Sequence, residues 1–186
     1  HGTTVATNTV LTGNGALVGL ITTKGYKQVL QIARSYVPGG LGGWVIFNKS
    51  DPLAPLELTI EADERMSALG EVVDPLDEKA IADDIAGLKG SGVEALTISL
   101  VNAYANGEHE RRIRDIAERV MPGIPVSISS EVIPEMYEYE RAETTVVNSY
   151  IRPVVSTYIE NLELELNRRM NSPQLHILRS DGGLAS

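Results

Sequence analysis

The 186-residue sequence contains no cysteine. That excludes disulfides, thiolate zinc sites and cysteine nucleophiles, and it fits a reducing cytoplasm. There is one Trp and one Phe, so a core has to be built from Val, Ile, Leu and Ala. No apolar run approaches the roughly 18 residues that a membrane-crossing helix needs, and no signal-peptide pattern heads the chain. Basic residues are in deficit, with 16 Lys and Arg against 25 Asp and Glu and a formal net charge of −9. An acidic surface without a Lys/Arg run repels phosphate backbones, which argues against a nucleic-acid partner. Several nucleotide and hydrolase motifs are also missing. No Gly-Lys-Ser/Thr forms a P-loop and no Gly-x-Ser-x-Gly forms a nucleophile elbow. The glycines of Gly13-Asn14-Gly15 and Gly19 precede and enter a strand, whereas a dinucleotide fingerprint follows one.

What is present is ordinary globular composition, 42% apolar and 22% charged, enough for one sizeable core. Helical and extended patterns alternate. Residues 3–12 read as a helix capped by Thr3 or Thr4. Ala16–Ile21 is an almost continuous apolar run, the mark of a strand buried on both faces. A helix is expected near 26–34. Residues 35–56, with Pro38-Gly39-Gly40 and Asp51-Pro52, form a long glycine- and proline-rich excursion of the kind that carries function or packs on a partner. Leu58–Glu61 alternates like an edge strand, and Gly70–Val73 reads as the continuation of a hairpin. Asp74 or Asp77 caps a helix with Ile81, Ile85 and Leu88 on one face. Val93–Leu100 is a core strand. Asn106 caps a helix with Ile113, Ile116, Ala117 and Val120 on one stripe, and Val126–Ile128 is a short strand. A helix over about 142–170 has Pro153 inside it, expected to kink or divide it. Leu175–Leu178 is a strand that runs into Ser180-Asp181-Gly182-Gly183. The alternation predicts an α/β fold with a mostly parallel sheet flanked by helices. Its ligands are expected at the carboxyl ends of the strands.

Candidate site residues fall in four places. His1-Gly2-Thr3-Thr4, with Thr7 and Asn8, puts hydroxyls, an amide and an imidazole at a helix start, where backbone N–H groups bind anions; ordinary threonine capping is the alternative. Ser180-Asp181-Gly182-Gly183 suits close approach by a phosphate, or is a tight turn held by its aspartate. Ser129-Ser130-Glu131 places a carboxylate after a strand to orient a water or bind a metal, or belongs to a solvated charge run. Arg141, in the run Tyr137–Arg141, has a fork that clamps anions, or belongs to a solvated charge run at a helix start. His109 lacks a second His at i+4, so it reads as a first-turn helix residue rather than a metal ligand, and His176 as a structural strand residue.

Taken in order, the segments HGTTVATNTVL (His1–Leu11), ALVGLITTKG (Ala16–Gly25), Pro75–Glu78, Glu94–Leu100, Asn106–Arg112, SSEVIP (Ser129–Pro134), EYERAETTVVNSY (Glu138–Tyr150) and SDGGL (Ser180–Leu184) resemble the hydantoinase/5-oxoprolinase family. The resemblance implies an actin-like, sugar-kinase-like fold with ATP between two lobes. Residues 1–172 would form the N-terminal-type domain, incomplete at its start, and 173–186 the beginning of the second lobe. It implies ATP with Mg²⁺ or Mn²⁺, used to activate a carbonyl or amide oxygen as a phosphorylated enol or imidate. Ring opening of a cyclic amide or carboxylation of a ketone follows, with a hydantoinase B-type partner subunit or domain. His1 and Glu131 would then be catalytic. Gly2, Thr3, Thr4, Thr7, Asn8, Arg141 and Ser180–Gly183 would contact substrate or phosphate. The excursion through Gly42-Gly43-Trp44 and Lys49–Leu58 is more similar to the acetone and acetophenone carboxylases than to the hydantoinases. The family's Asp-x-Gly-Gly-Thr and Gly-Gly-Thr-Ser-Thr-Asp phosphate loops do not occur between His1 and Ser186. The chain therefore reads as a fragment, inactive alone.

Overall fold

The apolar run near residue 20 becomes β1 (Val18–Thr23), buried at every position. It is a central strand of a four-stranded parallel sheet with β2 (Thr59–Ala62), β5 (Ala95–Ser99) and β6 (Val126–Ile128), in the order β2-β1-β5-β6. The structure is a computed structural model that describes residues 4–34, 50–171, 173–178 and 184–185. It divides into two units, residues 17–150 and residues 1–16 with 151–186.

In the larger unit the connections follow parallel-sheet logic, because a parallel partner needs a crossover. A short helix α2 (Val29–Ile32) follows β1. A 3-10 turn over Leu56–Leu58 leads into β2. Between β2 and β5 come an antiparallel hairpin, β3 (Arg65–Met66) and β4 (Val72–Asp74), and helix α3 (Glu78–Gly87). Helix α4 (Glu108–Val120) carries β5 to β6, and the single turn α5 (Ser129–Val132) follows directly. The long helix α6 (Glu138–Arg169) comes next.

Side chains alternate across a strand, and β5 shows what each face meets. Leu96 and Ile98 join Ile21, Ile128 and the apolar faces of α3 (Ile81, Ile85) and α4 (Ile113, Ile116, Ala117) in one cluster. Thr97 points the other way, donating to Ser149 Oγ on α6 at 2.7 Å. The first turns of α6 lie on that face through small, hydrogen-bonding residues, including Asn148 Nδ2 to Ser127 Oγ at 3.0 Å. The expected helix-flanked parallel sheet is thus the one observed.

Two local expectations need correction, at Gly70–Val73 and Asn106, and two alternatives are narrowed, at Asp74 or Asp77 and at Pro153. Gly70–Val73 does not continue the strand at 58–61. Residues Val72–Asp74 pair with Arg65–Met66 instead, through a loop in which Gly70 has φ +80, a left-handed conformation open to glycine. Asp77, not Asp74, caps α3, its side chain accepting from Ala80 N at 3.0 Å. Gly107 is the N-cap of α4, while Asn106 Oδ1 holds the Glu108 N–H at 3.0 Å from one residue earlier. Pro153 lies inside α6 rather than ending it.

The smaller unit holds α1 (Val5–Thr12), closed by Gly13 in the left-handed region, and the later turns of α6. It also holds the antiparallel pair β7 (Ile177–Leu178) and β8 (Leu184–Ala185). His176 is exposed just ahead of β7 rather than buried within a strand.

Ile98 is fully buried on the helix-facing side of the central strand. Ile98→Ala is expected to lower unfolding stability by about 2–5 kcal/mol. Leu11→Ala, at a side chain 78% exposed, is expected to change it by less than about 0.5 kcal/mol. Urea unfolding followed by circular dichroism measures both.

Candidate functional site

Two carboxylates buried at the carboxyl ends of the parallel strands organise the region where ligands of α/β sheets gather. The first is Glu110, fully buried on α4. Its Oε1 accepts from Leu100 N at 2.9 Å and from Ser129 Oγ at 2.5 Å, and its Oε2 accepts from Ser130 N at 2.8 Å. One side chain thereby satisfies backbone donors just beyond both β5 and β6. Burial pushes the Glu110 carboxyl above its usual range, and the donors from Ser129, Leu100 and Ser130 pull part of that back.

Arg141, also fully buried, completes this knot from α6. Its Nε donates to Ser129 Oγ at 3.1 Å, its Nη1 to Glu135 O at 2.8 Å and its Nη2 to Leu100 O at 2.5 Å. Glu138 Oε1 lies 3.5 Å from Nη2, and the guanidinium sits 5.6 Å from the Tyr104 ring centroid. Gly107 is required beside the knot by space: a Cβ there would stand 2.4 Å from Ser130 Oγ.

The second carboxylate is Glu64. Its Oε1 accepts the Thr23 hydroxyl at the end of β1, and its Oε2 lies 2.7 Å from His109 Nδ1. Thr23 Oγ1 in turn accepts from Val101 N at 2.9 Å. The ends of β1 and β5 are therefore locked side by side.

Over these locked ends opens a cleft of about 1210 Å³. Tyr26, Val29, Ile32 and Leu56 supply an apolar wall, Val101 and Asn102 lie at the end of β5, and Tyr137–Glu140 contribute the start of α6. Asn102 has φ +59, a conformation asparagine tolerates better than most residues. Its Nδ2 donates to Met66 O at 2.8 Å and its N–H to Glu138 Oε1 at 3.4 Å. The cleft's carboxylates are engaged by the protein itself. Glu61 accepts from Gly25 N at 2.8 Å and Lys27 N at 3.1 Å, Glu138 meets Arg141 and Asn102, and Glu140 pairs with Arg34. Burial, with Glu143 and Glu140 nearby, pushes the Tyr139 phenol up, so it stays a neutral donor.

Of the sequence candidates, His1, Gly2, Thr3 and Ser180, Asp181, Gly182 and Gly183 lie outside the described residues. Thr4 is the N-cap of α1 without a side-chain cap bond; its Oγ1 accepts from Asn8 Nδ2 at 3.3 Å. Thr7 and Asn8 are exposed. Glu131 is exposed on α5, where both its oxygens receive Arg114 Nη1 at 3.0 Å. Arg141 lies at the knot with its donors committed to internal acceptors, and Ser129 with it. Among the described residues no three His, Asp or Glu side chains converge as a metal site. No helix among them is long and apolar enough to cross a membrane.

Sequence reasoning passed over Glu110, Glu64, Thr23 and Arg65. A signal existed for Glu110, which stands three residues before Ile113 and seven before Ala117, on the buried stripe of α4.

The family profile for the hydantoinase/oxoprolinase N-terminal region matches residues 1–121, and that for hydantoinase/oxoprolinase matches residues 141–186. The chain belongs to the hydantoinase/oxoprolinase family. It is 32% identical over 185 residues to the caprolactamase subunit alpha of Pseudomonas jessenii, covering 100% of this chain and 27% of that protein. It is 32% identical over 163 residues to the acetophenone carboxylase gamma subunit of Aromatoleum aromaticum, covering 82% of this chain and 22% of the other. The crystal structure of the ATP-dependent caprolactamase superposes with TM-score 0.91 at 33% identity, over 99% of this chain and 27% of that one. The nucleotide-free structure of acetone carboxylase, from work on ATP-dependent acetone carboxylation, gives 0.83 at 26% identity, over 97% and 27%. The chain thus spans about a quarter of these relatives, of which the caprolactamase and the acetone carboxylase are described as ATP-dependent.

Glu110→Gln places an amide NH₂ against the N–H of either Leu100 or Ser130, and should cost about 1–3 kcal/mol. The wild-type carboxyl titrates higher folded than unfolded, so between those two values the folded state holds more protons and stability falls as pH rises. The glutamine variant lacks this titration. Its deficit relative to wild type should therefore shrink as pH rises above the ordinary carboxylate range. Urea midpoints at pH 5, 6, 7 and 8 test this, and a deficit constant with pH would contradict it.

Proposed function

We propose that this chain is part of the carbonyl- or amide-activating subunit of an ATP-dependent cytoplasmic enzyme with an actin-like two-lobed fold. The observation that supports the reading most is the end-to-end structural match to caprolactamase, TM-score 0.91 over 99% of the chain. The cleft at the carboxyl ends of β1, β2 and β5 agrees with it, being apolar-walled and large enough for a small carbonyl substrate.

Bound ATP, with Mg²⁺ or Mn²⁺, supplies a phosphoryl group that turns an unreactive carbonyl or amide oxygen into a leaving group. The residues of this chain have the task of holding the substrate, keeping bulk water from the activated oxygen and donating hydrogen bonds as charge develops. In this reading Thr4, Thr7 and Asn8, with His1, Gly2 and Thr3, face substrate or phosphate. Ser180–Gly183 form the connection between lobes, Glu131 serves the attacking water, and Arg141 holds an anion-binding segment in place. A hydantoinase B-type partner subunit or domain completes the reaction.

The finer reading is a ketone carboxylase of the acetone or acetophenone type, which draws its support from the segment Gly42–Leu58. A cyclic-amide hydrolase, acting on a hydantoin, 5-oxoproline or a lactam, is the second reading, favoured by the match of this chain along its length to 27% of caprolactamase. A non-catalytic role for the chain, as a subunit-contact segment, is separated from both by nucleotide titration and size-exclusion chromatography.

The full-length protein with its partner subunit, given ATP and Mg²⁺, should hydrolyse ATP in response to acetone or acetophenone with bicarbonate, or to caprolactam, hydantoin or 5-oxoproline. No stimulation by any of them would sink the reading. The isolated 186-residue chain is expected to lack appreciable ATPase activity, and robust Mg²⁺-dependent turnover would overturn that. Thr4→Val in the full-length protein should reduce substrate-stimulated ATP turnover by about tenfold or more, the loss of one hydrogen bond to a charged group, while leaving the urea midpoint unchanged.

A further inference from the structure

Several cations of this acidic chain are paired with carboxylates, as in Lys24–Asp63, Arg34–Glu140, Arg112–Glu78 and Arg114–Glu131. Arg65 is different. It stands on β3 at the cleft wall, half-buried, and the guanidinium lies 5.3 Å from the Tyr26 ring centroid. Its polar contact is Nη2 to Tyr26 Oη at 3.5 Å. Asp74 is its register partner across the hairpin, yet no ion pair joins them among the described residues. The cleft carboxylates Glu61, Glu138 and Glu140 are already engaged by backbone N–H groups or by Arg141 and Arg34.

A guanidinium stacked on an aromatic face keeps its N–H edge free and pre-oriented, and that edge matches the two oxygens of a planar anion. Lys27, exposed at the same cleft, adds a second positive charge. Leaving a half-buried cation without a counter-ion is unfavourable, and an incoming anion removes that penalty. We propose that Arg65, seated on Tyr26, binds the O–C–O anion of a ligand in this cleft, either free bicarbonate or the carboxylate of an organic substrate. The inference rests on the reading of the chain as a carbonyl- or amide-activating segment. In the ketone-carboxylase form of that reading the anion is the co-substrate. In the cyclic-amide form it is a carboxylate carried on the ring, with Val29, Ile32 and Leu56 against the ring's apolar edge. Arg65 acts in binding and orientation, and no bond is made or broken at it.

Isothermal titration of the full-length protein with its partner subunit decides the matter. The probes are sodium bicarbonate, 5-oxoproline, and 2-pyrrolidinone, which is the same lactam ring without the carboxylate. At least one anion should bind about tenfold or more tightly than 2-pyrrolidinone, and Arg65→Met should erase the difference. Arg65→Lys keeps the charge without the fork. It should weaken anion binding several-fold, and it serves as the test if Arg65→Met does not fold. Arg65-dependent binding of bicarbonate alone identifies the free co-substrate, and of 5-oxoproline alone a substrate carboxylate. No anion binding, or anion binding indifferent to both substitutions, overturns the proposal. The two readings fail separately: ATP turnover stimulated by caprolactam, together with anion binding indifferent to the Arg65 substitutions, would keep the broader reading and remove this one.

Discussion

The fold depends at one point on the buried pairing of Glu110 and Arg141 around Ser129. A parallel sheet leaves polar backbone groups unpaired just past its strand ends, and here that rim lies beneath protein. Glu110 takes the Leu100 and Ser130 N–H groups while Arg141 takes the Leu100 carbonyl. Two full charges are desolvated in the process, which is costly unless every lone pair and proton finds a partner. Here Glu110 accepts three hydrogen bonds and Arg141 donates three, and removing either member would leave groups of the other without their partners. Such an arrangement adds little net stability over an apolar core of equal volume. What it fixes is geometry: the loops after β5 and β6, the start of α4 and the start of α6 are held in a single register.

The Thr23–Glu64–His109 chain extends the same constraint to β1. Thr23 Oγ1 donates to Glu64 and accepts from Val101 N, so the hydroxyl joins a carboxylate to the neighbouring strand end. His109 and Glu110 are adjacent on α4, and each meets one of the two buried carboxylates or is one. The first turn of a single helix therefore anchors the ends of β1, β5 and β6. Asn102 sits between the two knots in its left-handed conformation, tied to Met66 and Glu138. The cleft floor is thus set by side chains that do not themselves need to meet a ligand, which is how a rigid scaffold presents loop residues for function.

Periodicity made the scaffold legible. Ile81 and Ile85 at i, i+4 put α3 on the sheet, Asp77 capped it, and the apolar run at 16–21 placed the doubly buried strand. The site was less legible because its residues disguise themselves in two ways. Glu108, Glu110 and Arg111 look like the solvated start of a charged helix, and only the alignment of Glu110 with Ile113 and Ala117 betrays that one of them faces inward. Arg141 looked like part of the run Tyr137–Arg141, yet it heads the α6 face that continues through Thr145, Val146 and Ser149. Arg65 carries no local signal, since its significance comes from Tyr26, 39 residues earlier in the chain, and from having no carboxylate at its edge among the described residues.

Arg65 and Arg141 show how environment divides one chemistry into two roles. Both are stacked on a tyrosine, Tyr26 and Tyr104, so the aromatic seat alone does not distinguish them. Arg141 is fully enclosed, and its Nε, Nη1 and Nη2 are all donating to acceptors of the protein. That saturation makes it a positioning residue whose charge cannot be lent to a ligand without dismantling the loops after β5 and β6. Arg65 has no carboxylate partner among the described residues, at a cleft whose carboxylates are already engaged. An incoming anion therefore competes with water for that edge rather than with an internal partner, and the Tyr26 platform has already restricted the side chain. The buried arginine keeps the cleft's shape constant, and that constancy lets the half-buried one hold a fixed direction toward what enters.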